Sequence, residues 1–241
     1  MNLFISALQF MTILPVGKTE TIDIKKMHQY FPLVGIFLGV IISIFDQIAL
    51  MLWSQQVASL LDVVLLIILT GAFHVDGLGD TADGLLGIRT KDQALLIMKD
   101  SRLGTMALAT IFSVLLIKWC GIMGTGSNRI LLLIIIPAYA RGAILFGIYY
   151  FEYGREEGTG KAHFTNPLKL TDFWGLSIPF TLSFFIGFKM IFLNLSFILL
   201  VIILIMFYKK CIGCITGDML GAMTETVEAF LFLIVSIGCC I

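Results

Sequence analysis

Charge is what this sequence has least of. Of its 241 residues, 13% are Asp, Glu, Lys or Arg and 59% are hydrophobic, against about 25% and about 45–50% in soluble domains. With a mean hydropathy of +1.00, a soluble enzyme is excluded. Neither sign of charge is in surplus, since 16 basic residues balance 16 acidic ones, so the electrostatic footprint of a nucleic-acid binder is missing. The five cysteines are odd in number and lie in hydrophobic segments, which excludes a secreted disulfide framework. Cys211 and Cys214 have redox or metal-ligand spacing, but no second pair lies nearby, and small residues at a helix end is the simpler reading. The apolar run at residues 3–16 has neither a basic leader nor a small-residue cleavage site. It reads as an interfacial or re-entrant segment rather than a signal peptide. A Gly-x-Ser-x-Gly elbow, a His-Glu-x-x-His helix and a haem-type cysteine pair are all missing as well.

What the sequence does have is long apolar runs. They fall at about 31–52, 57–75, 103–123, 130–151, 173–188, 192–208 and 219–240. The fifth is interrupted by Pro179 and the last opens with polar residues. At about 20 residues per crossing, the expectation is an all-α, polytopic transmembrane bundle of six or seven helices. No linker divides the chain, so residues 1–241 read as a single integral-membrane domain. Twelve cations fall in alternate loops: Lys18, Lys25 and Lys26; Arg89, Lys91, Lys99 and Arg102; Arg155, Lys161 and Lys169; Lys209 and Lys210. The opposite loops hold Arg129 and Lys189, while Lys118 and Arg141 sit inside spans. The positive-inside rule then places the N-terminus and the long loops in the cytoplasm.

The acidic residues collect on that side. Asp76, Asp80 and Asp83 are spaced i, i+4 and i+7 in His74-Val-Asp-Gly-Leu-Gly-Asp-Thr-Ala-Asp-Gly84, so a helix puts all three on one face. Carboxylates about 6 Å apart repel by roughly 3 kcal/mol at an effective dielectric near 20, and such a face needs protons or a cation. Hard oxygen donors suit Mg²⁺, Mn²⁺ or Ca²⁺ rather than zinc. Gly77, Gly79 and Gly84 leave room for a bulky ligand beside the carboxylates. His74 reads equally as a base, a phosphate contact or a hydrogen-bonded interfacial residue.

A second acidic face begins at Asp218 and continues through Glu225 and Glu228, with Gly221 between. Two acidic helix ends on one surface suit one or two divalent ions bridging a diphosphate. Lys99 and Arg102 stand on the same side, and Arg141 lies where a charge costs about 2.5–3.5 kcal/mol on insertion scales, so it faces a carboxylate or an anionic ligand. The loop around Gly158, Gly160 and Lys161 is glycine-rich but is not a Walker A motif, because Ala162 follows the lysine. Asp46, Asp62 and Lys118 read as polar residues within the bundle or snorkelling to an interface. Metal-assisted phosphoryl or phosphodiester transfer is the chemistry that fits, since it asks for metals, cationic clamps and little covalent participation by the protein.

At residues 74–84, 98–104 (Met-Lys-Asp-Ser-Arg-Leu-Gly) and 216–225 (Thr-Gly-Asp-Met-Leu-Gly-Ala-Met-Thr-Glu) the chain resembles the cobalamin synthase family, the adenosylcobinamide-GDP ribazoletransferases. Phe-x-Thr-x-Leu-Pro-Val at 10–16 and Phe-Pro-Leu-Val-Gly at 31–35 extend the likeness over nearly the whole chain. The resemblance implies a transferase of the bacterial inner membrane, multi-pass, with its active site in the cytoplasm. It implies that a ribose hydroxyl of α-ribazole or its 5′-phosphate attacks adenosylcobinamide-GDP, and that GMP leaves, late in vitamin B12 assembly. Magnesium is the implied cofactor; from the acidic faces themselves, Asp76, Asp80 and Asp83 are expected to hold it, Asp218 and Glu225 to complete or share the site, and Asp83 or Glu225 to accept the proton. His74, Lys99, Arg102 and Arg141 would contact substrate. The partners are the two substrates and the lipid bilayer, without nucleic acid, and a homo-oligomer is a candidate assembly. Gly79 and the Gly-Thr-Gly at 158–160 depart from the family pattern. The CDP-alcohol phosphotransferases share aspartate-rich chemistry, but their aspartates are more widely spaced. A cation-coupled transporter is the rival from another class. Against it, the carboxylates lie toward one membrane face and no inverted repeat occurs.

Overall fold

A computed structural model describes residues 3–17, 24–156, 159–165 and 167–237. Lys18, Gly158, Cys239 and Cys240, and the side chain of Lys25, lie outside the described residues. The fold is all-α. The helices are α1 (Leu3–Met11), α2 (Ile24–Met27), α3 (Phe31–Leu52), α4 (Gln55–Leu69), α5 (Phe73–Leu85), α6 (Lys91–Ile97), α7 (Thr105–Met123), α8 (Arg129–Tyr150), α9 (Ser177–Ser183), α10 (Lys189–Cys211) and α11 (Gly217–Val235).

Among the described residues, four helical segments are long and apolar enough to cross a membrane, namely His28–Leu52, Thr105–Met123, Gly126–Tyr150 and Lys189–Cys211. A fifth is added if the bent pair α4–α5 is taken as one. Of the six or seven helices expected, four or five therefore meet that test, and the other runs differ for three physical reasons. The run at 57–75 is broken, because Gly71 and Ala72 both take left-handed backbone angles (φ 60° and 59°) and turn α5 by 89° from α4. For Ala72 that conformation costs about 1–2 kcal/mol. The run at 173–188 is a short composite, the apolar stretch Leu170–Ile186, in which α9 is flanked by tighter 3-10 turns. The last run is a 19-residue helix, α11, that carries Asp218, Glu225 and Glu228.

Small residues set the packing. Without a hydrophobic drive between helices in lipid, close backbone approach through glycine supplies van der Waals contact. Gly35 and Gly39, four residues apart on α3, lie against α8. A Cβ added at either would stand 2.3 Å from Pro137 O or 2.5 Å from Leu133 O. Gly121 of α7 similarly meets the backbone of α11 at Phe232 and Leu233. Of the apolar stretch of α8, 78% is buried, against 17% for α10, so α8 is a central helix and α10 a peripheral one. Helix α11 lies among α5, α7, α8 and α10, and its Glu225 and Glu228 are buried.

Candidate functional site

The break at Gly71 and Ala72 aims the start of α5 at the start of α11. Gly77 touches the backbone of Asp218, where a Cβ would come within 2.7 Å of its carbonyl oxygen, and Gly221 lies on the backbone of His74. The glycines of the two motifs are thus the contact between two acidic helices. Asp76, Asp80 and Asp83 all lie on α5, with Asp76 exposed and the other two half-buried. Asp80 is repelled by Asp218, Asp76 and Asp83, and attracted by Arg155.

Arg155 arrives from a distant part of the chain. Residues 152–154, just past α8, form a parallel bridge with Ile215: Gly154 N–H donates to Ile215 O (2.8 Å) and Ile215 N–H to Glu152 O (3.1 Å). Just beyond the bridge, two residues past Tyr153 and three past Ile215, Arg155 and Asp218 meet in an ion pair of 2.5 Å. The Nη2 of Arg155 also donates to Met98 O (3.3 Å), while its buried Nε has no partner. Helix α11 itself starts at Thr216, whose hydroxyl accepts from Met219 N–H (3.3 Å).

Asp83 is used differently. Its two oxygens accept the N–H groups of Gly104 (2.7 Å) and Ala107 (2.9 Å), capping the otherwise unpaired first turn of α7. Glu225 is used differently again. It lies two turns down α11 from Asp218, about 10 Å along the axis, and pairs with Lys118 of α7 (2.5 Å). Lys118 also pairs with Glu228 (2.8 Å), and Glu228 with Arg141 of α8 (2.8 Å). All four side chains are buried. Arg141 further donates to Pro137 O (3.1 Å), leaving its Nε and Nη2 without partners. The buried His74 lies between this cluster and the acidic surface, within electrostatic reach of Arg141, Glu228 and Lys118, and its Nδ1 has no partner.

Lys99 and Arg102 are exposed on the turn between α6 and α7. Lys99 flanks a cleft with Arg155, and Arg102 flanks another with Asp83. Hydrogen bonds from Arg102 hold the Asp100 carboxyl down at about 2. The structure thus places Asp76, Asp83 and Asp218 within electrostatic reach of Asp80 without closing them on one point, and does not bring Glu225 or Arg141 to them. Sequence reasoning missed Arg155 as the cation at Asp218, because the two lie 63 positions apart. Lys118 was also passed over, although a lysine facing i, i+3 glutamates on a neighbouring span is a legible signal in retrospect.

Four carboxylates and one guanidinium suit a hard divalent cation in donor type and in charge. Among the described residues, no three His, Cys, Asp or Glu side chains converge closely enough to hold one. Asp83 is engaged by α7 and Arg155 stands before Asp218. Asp76, Asp80 and Asp218 thus offer the donor chemistry, while Asp218 is paired with Arg155.

Comparison with known proteins follows the same residues. Residues 3–236 match the family model described as cobalamin-5-phosphate synthase. A protein of Alkaliphilus metalliredigens named adenosylcobinamide-GDP ribazoletransferase is 37% identical, covering 99% of this chain and 98% of the relative. Proteins of the same name from Clostridioides difficile and Shewanella frigidimarina are 35% and 34% identical, over 95% and 98% of this chain and 94% of each relative. No solved structure gives a significant match. The glycine-separated aspartates of α5 and the Thr216–Glu225 segment facing them are thus carried within a match that runs nearly end to end, and the chain belongs to the cobalamin-5-phosphate synthase family.

Proposed function

We propose that the chain is an adenosylcobinamide-GDP ribazoletransferase: a ribose hydroxyl of α-ribazole, or of its 5′-phosphate, displaces GMP from adenosylcobinamide-GDP. The observation that carries this reading is the glycine-mediated contact that sets Asp218 against the aspartate face of α5, in a chain whose family and relatives bear that activity in their names. Asp76, Asp80 and Asp218 would hold Mg²⁺. A divalent ion there supplies neutralisation of the diphosphate and of the leaving GMP. Arg155, released from Asp218, turns its guanidinium to phosphate oxygens, for which a forked donor is suited. Asp80, flanked by Asp76 and Asp218, is the carboxylate placed to accept the proton of the attacking hydroxyl. Lys99 and Arg102 draw the anionic substrate to this end.

The same reading sets the topology. Leu170–Ile186 and the shielded α11 complete seven passages, with α1 and the aspartates on the cytoplasmic side of the cell membrane, in a single domain. In support, Arg129 at the opposite end is already neutralised by Asp46 (2.6 Å) and Asp62 (2.9 Å), whereas Lys99 and Arg102 at the aspartate end are exposed. The experiment is GMP release by detergent-purified protein given adenosylcobinamide-GDP and α-ribazole, with Mg²⁺ or with EDTA. Metal-dependent GMP and a corrin product bearing the lower nucleotide are expected. Release only from CDP-linked donors, or substrate uptake by proteoliposomes without GMP, would overturn it.

A further inference from the structure

Beside the acidic face lies a narrow apolar cleft. Its walls include Phe10, Phe31, Phe73, His74, His163 and Gly217. Phe10 organises it, stacking on Phe31 (centroids 6.0 Å, planes 11° apart) and meeting His163 at 4.5 Å and Phe73 edge-on at 6.3 Å. The wall carrying His163 is docked by a hydrogen bond between His163 Nδ1 and His28 Nε2 (2.6 Å). Gly217 adjoins Asp218 in sequence, and His74 and Gly221 of the cleft wall belong to the contact between α5 and α11, so the cleft lies beside the acidic face. A Cβ at Gly217 would meet nothing within 4 Å, so bare backbone faces free space there. One polar feature is unanswered: His74, 2% exposed, carries an Nδ1 without a partner.

We propose that this cleft binds the benzimidazole base of α-ribazole and so places the ribose hydroxyls at Asp218 and Asp80. The inference rests on the ribazoletransferase reading and names a subsite within it. The reaction offers three kinds of group to bind. A corrin macrocycle is too wide to enter between these aromatic walls, whereas a flat bicycle needs only the outer rings to give way. A guanine or a diphosphate would leave several polar atoms unpaired against phenylalanine, at about 1–3 kcal/mol each. The base of α-ribazole is flat, uncharged and apolar except for one imine nitrogen. That nitrogen accepts a hydrogen bond, which the unpartnered Nδ1 of His74 on the cleft wall donates in its Nδ1–H tautomer, and the ring faces match aromatic walls. Phe10 and Phe73 at the mouth are 37% and 49% exposed, so their rings are free to swing outward as the bicyclic base enters.

Gly217→Leu fills the cleft without a backbone clash, and Phe10→Ala removes a wall at a half-exposed position. Two readouts are needed: equilibrium dialysis of free dimethylbenzimidazole on the whole protein, and KM for each substrate. The expected result is that wild-type protein binds the free base, which competes with α-ribazole and not with adenosylcobinamide-GDP. Both variants should weaken binding of the base, and raise KM for α-ribazole, by about ten-fold or more, with KM for adenosylcobinamide-GDP unchanged. Unchanged α-ribazole KM in both variants, or a rise confined to adenosylcobinamide-GDP, overturns the proposal while leaving the transferase reading intact. Binding of the base that Gly217→Leu abolishes, in a protein that releases no GMP from any mixture, upholds the cleft and removes the transferase reading.

Discussion

Two polar clusters share α11 and have opposite designs. Near its start, Asp218 joins Asp76, Asp80 and Asp83, and Arg155 is the cation paired there. Two turns further down, Glu225 and Glu228 face Lys118 and Arg141, two charges against two, all buried. The lower cluster is neutral and sealed, so its ions answer one another and fasten α7, α8 and α11 together. The upper one is open and carries an excess of negative charge that the described residues leave unanswered. The acidic residues thus divide by what surrounds them: Glu225 and Glu228 are compensated within the bundle, whereas Asp218 and the three aspartates of α5 share Arg155, and the reading proposed above assigns that excess to a ligand.

The largest expected effect tests the lower cluster. Lys118→Met leaves Glu225 and Glu228 buried without their shared cation, and breaking such a pair costs about 3–5 kcal/mol. A thermal-unfolding series in detergent should show a large loss of stability. Normal stability would mean that the cluster is not a fastening. The upper cluster should behave the other way. Asp80→Asn should cut transfer by about 10²-fold or more, the range for loss of a positioned base, with the thermal midpoint close to wild type. Gly77→Ala couples the two outcomes, since its methyl runs into the Asp218 backbone. Overpacking of this kind costs about 1–3 kcal/mol, and activity should fall along with stability as the two helices are pushed apart.

Legibility from sequence followed the same division. The spans α3, α7, α8 and α10 were readable because lipid and a dry core both demand apolar residues, and the i, i+4, i+7 spacing placed three aspartates on a face that α5 does form. The break before α5 was not readable from hydropathy, since it depends on Ala72 adopting a left-handed angle that sequence makes improbable. The partners of the carboxylates were also hidden. Arg155 reaches Asp218 through a two-residue bridge between segments far apart in sequence, and Lys118 and Glu225 are 107 positions apart. Stripes on one helix can be read from spacing, whereas pairs between helices depend on packing.

A smaller effect concerns the wall that His163 forms. Burial pushes its imidazole down to about 4 from the ordinary 6.5. Because the folded value is the lower one, the unfolded chain takes up the proton first. The neutral, docked state is fully stable above pH 6.5 and weakens as pH falls toward 4, by about 1.4 kcal/mol per unit at most. The thermal midpoint of wild type should therefore drop relative to that of His163→Gln between pH 7.5 and 5.5. Parallel pH profiles would show that the loop does not depend on a neutral His163.

The finest distinction lies within the aspartate helix itself, at Asp83. As the cap of α7 it contributes about 0.5–2 kcal/mol, and Asp83→Ala should lose that much stability. Asparagine caps a helix about as well as aspartate, because the capping oxygen accepts its hydrogen bond whether or not it is charged. Asp83→Asn should therefore restore most of the stability, since a carboxamide presents one oxygen where the carboxylate presents two to Gly104 and Ala107. If capping is the main task of Asp83, transfer also survives in Asp83→Asn, in contrast to Asp80→Asn only three residues away. Should the two asparagine variants lose transfer equally, the carboxylate of Asp83 serves the chemistry as well as the cap. The line between fastened and available carboxylates would then run through a single side chain rather than between two clusters.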